Sequence, residues 1–286
     1  MNPYQTLVTE TARLLRQAKT AQLGGFALPT QPKPDPHAPK ALIFSPHPDD
    51  EVIIGALPLR LLREAKWEVL NVAVTQGSNK ARQPERWKEL TACCNYAGFG
   101  LMQTRENGLE GINTKSREQN PAAWGRSVER IVHILAEQTP RAIFFPHLRD
   151  WNSTHIGTHY LVADALAQLG HSFTCFTVET EFWGAMDDPN LMVESSEQDL
   201  IDLITALTFH VGEVQRNPYH LRLPAWMIDN VRRGGELVGG QGGAAPDFTF
   251  ATLYRLRRWR GGQWETVLDR GRFVAQADNV AALFPV

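Results

Sequence analysis

His47-Pro48-Asp49-Asp50-Glu51 puts one imidazole and three carboxylates into a single short stretch. Carboxylates that close repel unless a cation or the positive end of a helix offsets their charge. Two readings follow. In the first, the stretch is a helix start whose acids suit the macrodipole; this accounts for Asp50 and Glu51 but not for His47, Pro46 or Pro48. In the second it is a metal site, in which His47 and one carboxylate bind a divalent ion and the other carboxylate stays free to handle protons. A second imidazole-bearing stretch runs from His147 to His159. His155 and His159, four apart, fall on one helical face and can share a metal, although without an accompanying Glu that pattern is weak. For His159 the plain alternative is a half-buried helix residue.

Both stretches need something to hold them. Ala41-Leu42-Ile43-Phe44 precedes the first, and a helical pattern from Val52 to Lys66 follows it, which reads as strand–loop–helix. Ala142-Ile143-Phe144-Phe145-Pro146 and a helix over 156–169 frame the second in the same way. In an open α/β sheet, ligands bind at loops leaving the carboxyl ends of strands. His155 therefore exits a strand on the same edge as His47. Further strands are expected at 68–75 and 172–178, the latter continuing through Glu179 to Trp183. Helices are expected at 85–98, 122–138, 197–217 and 225–233, the last stopped by Gly234-Gly235. Residues 100–120 form a rim loop. Strands at 248–259 and 264–268 pair across Gly261-Gly262. The expected fold is α/β: a Rossmann-like, mostly parallel sheet with helices on both faces and a C-terminal β-hairpin extension. Residues 1–40 comprise an amphipathic helix and a Pro-rich connector, read as a packing arm or homo-oligomer contact; 41–286 form the catalytic domain.

Composition narrows the function class. The chain has 286 residues, 43% hydrophobic and 21% charged, with a formal net charge of -2. That leaves no electrostatic footprint for nucleic acid. No apolar run reaches membrane-spanning length, and the N-terminus does not read as a secretory signal. Three cysteines without a Cys-x-x-Cys pair fit reduced core thiols in a cytoplasmic protein. Gly239-Gly240-Gln241-Gly242-Gly243 lacks the Lys-Ser/Thr of a phosphate-binding loop. Arg86 and Glu89, three apart on a helix, read by default as a surface ion pair.

Together, His47-Pro48-Asp49-Asp50-Glu51 after a strand, Thr75-x-Gly77, Arg86-x-x-Glu89 and the loop at 147–159 resemble the LmbE-like, or PIG-L, de-N-acetylase family over residues 41–180. The resemblance implies that His47, Asp50 and His155 hold Zn2+, with Fe2+ an alternative, and that Asp49 is the general base. The family's later loop usually reads Asp-x-His-x-Asp-His; the matching positions here are Asp150, Asn152, Thr154 and His155. The auxiliary histidine is thus Asn152, which can donate to an oxyanion but cannot carry a proton. Asp49 is then expected to return the proton to the leaving amine, with His159 in reserve. The implied function is zinc-dependent removal of an N-acetyl or N-acyl group from an amino-sugar (GlcNAc-type) small-molecule conjugate. Trp151 and Trp183, near strand ends, are candidates for stacking on the sugar. Two competitors are a non-haem iron oxygenase using a two-His-one-carboxylate site and a non-catalytic metal- or sugar-binding relative.

Overall fold

The computed structural model describes residues 2–31 and 35–285. Its strands are β1 Lys40–Ser45, β2 Glu68–Ala73, β3 Gly100–Gln103, β4 Ala142–Pro146, β5 Cys175–Thr180, β6 Leu191–Ser195, β7 Phe250–Arg260, β8 Gln263–Thr266 and β9 Arg272–Val274. They form one sheet in the order β3-β2-β1-β4-β5-β7-β6-β9, with β8 paired to β7. The run from β3 to β5 is parallel, whereas β7 is antiparallel to both β5 and β6. The mostly parallel Rossmann-like sheet is therefore present, and so is the hairpin across Gly261-Gly262.

β1 and β4 read as unbroken apolar runs because both faces of a parallel sheet are covered. Alternate residues divide between two cores. Leu42, Phe44, Ile143 and Phe145 pack under helices Pro121–Gln138 and Ser153–Leu169. Ala41, Ile43 and Phe144 face helices Leu57–Arg63, Gln83–Ala97, Glu197–Leu207 and Leu223–Leu237. The chain proceeds from β1 outward to β2 and β3, then returns to place β4 on the other side of β1. That reversal makes the β1/β4 boundary the crevice where this fold class takes ligands.

Four expectations need correction. The helix over 52–66 is two helices, Asp50–Ile53 and Leu57–Arg63. Tyr254 of β7 is inserted at the break: its hydroxyl donates to the Ile54 carbonyl at 2.7 Å and accepts from Leu57 N–H at 3.4 Å. Gly55 has φ +92° there, and a Cβ would lie 2.1 Å from Thr252 Oγ1. The helix over 197–217 likewise divides into Glu197–Leu207 and Val211–Arg216, with a buried His210 at the break. Gly234 and Gly235 do not stop their helix, which runs to Leu237. They let it sit close to the sheet, since a Cβ on Gly234 would lie 2.2 Å from Met192 Cε. Finally, the rim loop after 100 begins with the edge strand β3.

At the N-terminus, helix Pro3–Ala18 is capped by Asn2 and buries none of its residues. The following segment is tied down by Gly24 N–H to Thr208 Oγ1 and by Gln31 to the Tyr96 carbonyl. Residues 32–34, the middle of the Pro-rich connector, lie outside the described residues. Among the described residues no helix is long and apolar enough to cross a membrane.

Candidate metal centre and active site

β1 ends at Ser45, and the chain turns through Pro46–Asp49 into the one-turn helix Asp50–Ile53. Thr75, just past β2, donates its hydroxyl to the Pro46 carbonyl at 2.7 Å and fixes that turn. On the neighbouring strand, β4 ends at Pro146 and helix Ser153–Leu169 starts with Asn152 as its cap. Because β1 and β4 are adjacent and parallel, the two loops meet.

They bring His47, Asp50 and His155 together. One potential ligand atom from each lies within 4.8 Å of the others. His47 Nδ1 is 3.3 Å and His155 Nε2 is 3.2 Å from the same Asp50 oxygen, and the two rings stand 5.4 Å apart. His155 Nδ1 faces the Asp150 carboxylate at 3.5 Å, which orients the ring with Nε2 toward Asp50. His155 Nε2 is nevertheless buried with no hydrogen-bond partner. An orphaned imidazole nitrogen, a second imidazole and a carboxylate converging on one point fit a divalent metal with nitrogen and oxygen preferences. A carboxylate behind a ligating histidine is the usual support for such a centre. The macrodipole reading of Asp50 is too weak, because its helix is a single turn and its carboxylate already faces two imidazoles.

Electrostatics separate the two neighbouring aspartates. Burial raises both. For Asp50 the adjacent His155 and His47 outweigh burial and hold it well below the usual carboxylate range. For Asp49 burial and the Asp50 charge dominate, and it is pushed up to about 7 despite His210, Arg86 and Tyr219. His155 is carried up to about 10, against its burial, by Asp50 and Asp150.

Asp49 also has an unusual backbone, with φ 115° and ψ −28°. A non-glycine residue held there costs about 1–3 kcal/mol. Tyr219 donates its hydroxyl to Asp49 Oδ2 at 2.5 Å, and Asp49 N–H donates to Glu51 Oε2 at 2.9 Å. Burial and the Asp49 charge push the Tyr219 phenol far up, so it stays a donor. Next to these groups opens a cavity of about 640 Å³ whose lining includes His47, Asp49, Asp50, Asn152 and Trp183. The lining also includes Arg82, Arg86 and Arg216 around Glu213.

The other expected residues divide. Asn152 lines the cavity, and its Oδ1 accepts from Thr154 N–H at 2.8 Å; the cap orients the amide and leaves Nδ2 as the donor. His159 is not brought to the cluster. Its Nδ1 lies 3.0 Å from the Pro146 carbonyl and 3.4 Å from Glu179, and burial lowers its pKa. Arg86 and Glu89 do not pair with each other: Arg86 donates to the Pro48 carbonyl, and Glu89 accepts from Gly212 N–H. Trp183 lines the cavity, whereas Trp151 is 80% exposed outside it.

Sequence reasoning missed Tyr219, His210 and Glu213. Each arrives from more than a hundred residues downstream with no local pattern to mark it. Asp150 had a marker, its place before Asn152 and His155 in the second loop, but was given no role.

Residues 42–166 match the family described as PIG-L: GlcNAc-PI de-N-acetylase. No curated protein matches the chain. Among solved structures, N,N'-diacetylchitobiose deacetylase from Pyrococcus horikoshii is 17% identical; the match covers 90% of this chain and 94% of that one, with a TM-score of 0.55. The zinc inhibited form of teicoplanin deacetylase Orf2 is 15% identical over 77% of this chain and 98% of its own, at a TM-score of 0.53. The 4-carboxy-2-hydroxymuconate hydratase GalB of Pseudomonas putida KT2440 is 15% identical, covering 76% and 95%, at a TM-score of 0.52. At these identities the likeness is one of fold, and the fold hosts both deacetylases and a hydratase. Over residues 42–166 this chain is similar to the PIG-L (LmbE-like) family.

Proposed function

We propose that this protein is a metal-dependent amidohydrolase that removes an N-acetyl or related N-acyl group from a small amino-sugar conjugate. The observation that carries this reading is the buried, unpartnered Nε2 of His155, aimed with His47 at Asp50 while Asp49 beside it is left off the cluster. The PIG-L match and the deacetylases among the fold relatives support the same class.

Amides resist hydrolysis because water is a weak nucleophile and an amine a poor leaving group. A divalent ion held by His47, Asp50 and His155 supplies Lewis acidity toward the acyl carbonyl and lowers the pKa of water. The remaining work belongs to side chains. Asp49 has one oxygen committed to Tyr219, and its other oxygen accepts the proton of the attacking water. Such general-base help contributes typically 10²–10⁴-fold. Asp49 then hands that proton to the departing amine nitrogen, a role suited to a carboxyl whose pKa stands near neutrality. Asn152 Nδ2 donates to the developing oxyanion. Asp150 keeps the His155 ring in one orientation. We give His159 no proton to carry, since Pro146 and Glu179 occupy its Nδ1. Trp183, with Leu109 and Ile112, supplies apolar surface for the sugar or acyl group.

The test is a screen of N-acetylated and N-acylated amino-sugar conjugates against protein of measured metal content, scored by free amine and acetate. Release that is independent of oxygen and scales with bound metal is expected. Stoichiometric metal with no amine released from any member overturns the reading, and turnover that requires oxygen moves the site to the oxygenase class. Loading with zinc and with iron separately decides the ion, a live question given the zinc inhibited relative.

A further inference from the structure

The catalytic carboxylate of Asp49 does not sit in its backbone conformation unaided. One downstream segment grips it at two points. Tyr219 holds its side chain. The other grip is indirect: Asp49 N–H donates to Glu51 Oε2, and Glu51 Oε1 lies 2.7 Å from His210 Nε2. The side chains of Glu51 and His210 are both fully buried. His210 comes from the break between helices Glu197–Leu207 and Val211–Arg216, 159 residues after Glu51 in the chain. Without the break, a continuous helix would carry that position past the site.

We propose that His210 is a positioning residue: by holding the Glu51 carboxylate it fixes the Asp49 amide, and with it the left-handed backbone that keeps the base off the metal ligands. This rests on the functional reading above and adds to it a role for Glu51 and His210. The geometry distinguishes the pair from a structural ion pair. Glu51 spends one oxygen on His210 and the other on the backbone of the residue that does the chemistry. Cys93 also borders the cluster, and its thiol, pushed up by burial and by Glu51, stays protonated. A buried carboxylate shared between a ring N–H and a backbone N–H has a fixed orientation, and so does the peptide it grips.

The prediction concerns kcat rather than binding. His210→Leu removes the donor at similar volume. Per folded, metal-loaded molecule it should lower kcat about 10–100-fold, as is typical when a supporting partner is lost, with metal stoichiometry and KM near wild type. His210→Gln, whose amide nitrogen can stand where Nε2 stood, should restore most of that loss. Should the Leu variant not fold, Glu51→Gln alters a single side-chain atom and carries the same kcat-against-KM split. Equal losses in the Leu and Gln variants, metal loss in parallel with kcat, or a kcat for both His210→Leu and Glu51→Gln indistinguishable from wild type would each overturn the inference. A wild-type protein inert toward every N-acyl amino sugar would count against the functional reading instead, and that result is seen before any variant is made.

Discussion

His155 and His159 sit one turn apart on one helix, both buried, and the structure gives them opposite work. His155 has a carboxylate behind Nδ1 and nothing bonded to Nε2, which points at Asp50 and His47. His159 is absorbed into a second polar cluster, in which Glu179 on β5 accepts from Arg255 and Arg257 and also faces His159 Nδ1. Each network is built on a buried carboxylate. Around Glu179 two guanidinium groups share one carboxylate, and burial is outweighed so that Glu179 stays below its usual range. Around Asp50 the neutralising side chains are imidazoles, joined by the His47 backbone N–H, and one imidazole nitrogen is left without a hydrogen bond. The difference teaches that a histidine's role follows from what its second nitrogen finds, not from its place on a helix.

The largest effect should come from separating those two histidines. His155→Ala is expected to lose the ion and, with it, turnover by about 10³-fold or more, because the ion supplies several kcal/mol of transition-state stabilisation. His159→Ala should keep metal content and cost only stability, about 1–3 kcal/mol from the buried groups left unpaired. Metal analysis beside thermal melts decides this, and loss of metal from the His159 variant would break the comparison.

Next in size, Asp49→Asn should remove about 10²–10⁴-fold of kcat while leaving the ion bound; parallel loss of metal would reassign Asp49 as a ligand. Asp150→Asn follows at about 10–100-fold in metal affinity or activity, since it loosens the His155 ring without removing a ligand.

The smallest effects lie in pH dependence. The raised His155 pKa, about 10 against 6.5, gives metal-free protein a stability contribution that is full below about 6.5 and lost as pH rises through 10. Binding an ion to that ring must expel its proton, so affinity should strengthen as pH rises, with proton release visible by calorimetry in buffers of different ionisation enthalpy. Asp49 follows the same sign: raised from 3.8 to about 7, its contribution is present below 3.8 and lost as pH climbs through 7. Asp50, lowered, has the opposite sign and loses its contribution only on acidification below 3.8. Asp49→Asn should therefore stabilise metal-free protein at pH 8, by about 1–3 kcal/mol, even as it lowers kcat. A melt at pH 8 unchanged by that substitution would mean that the Asp49 carboxylate is not under electrostatic strain.

Much of this was legible in the residues themselves. Two apolar runs, each ending in a loop with an imidazole and followed by a helical pattern, sufficed to put His47 and His155 on one edge, because parallel strands present their carboxyl ends together. The split between a ligating and a free aspartate was implied by family resemblance, and the electrostatic reason for it needed coordinates. Tertiary structure alone decided the rest. Tyr254 breaks a helix by inserting a hydroxyl from the far end of the chain, and no periodicity reports that. His159 was drawn away by Glu179, a partner on another strand. Tyr219 and His210 reach Asp49 and Glu51 across more than 150 residues, where only the packing of helices within one layer on the sheet brings them. Local pattern determines which groups a loop can offer; which of their atoms remain unpaired, and hence available for chemistry, depends on neighbours that folding alone supplies.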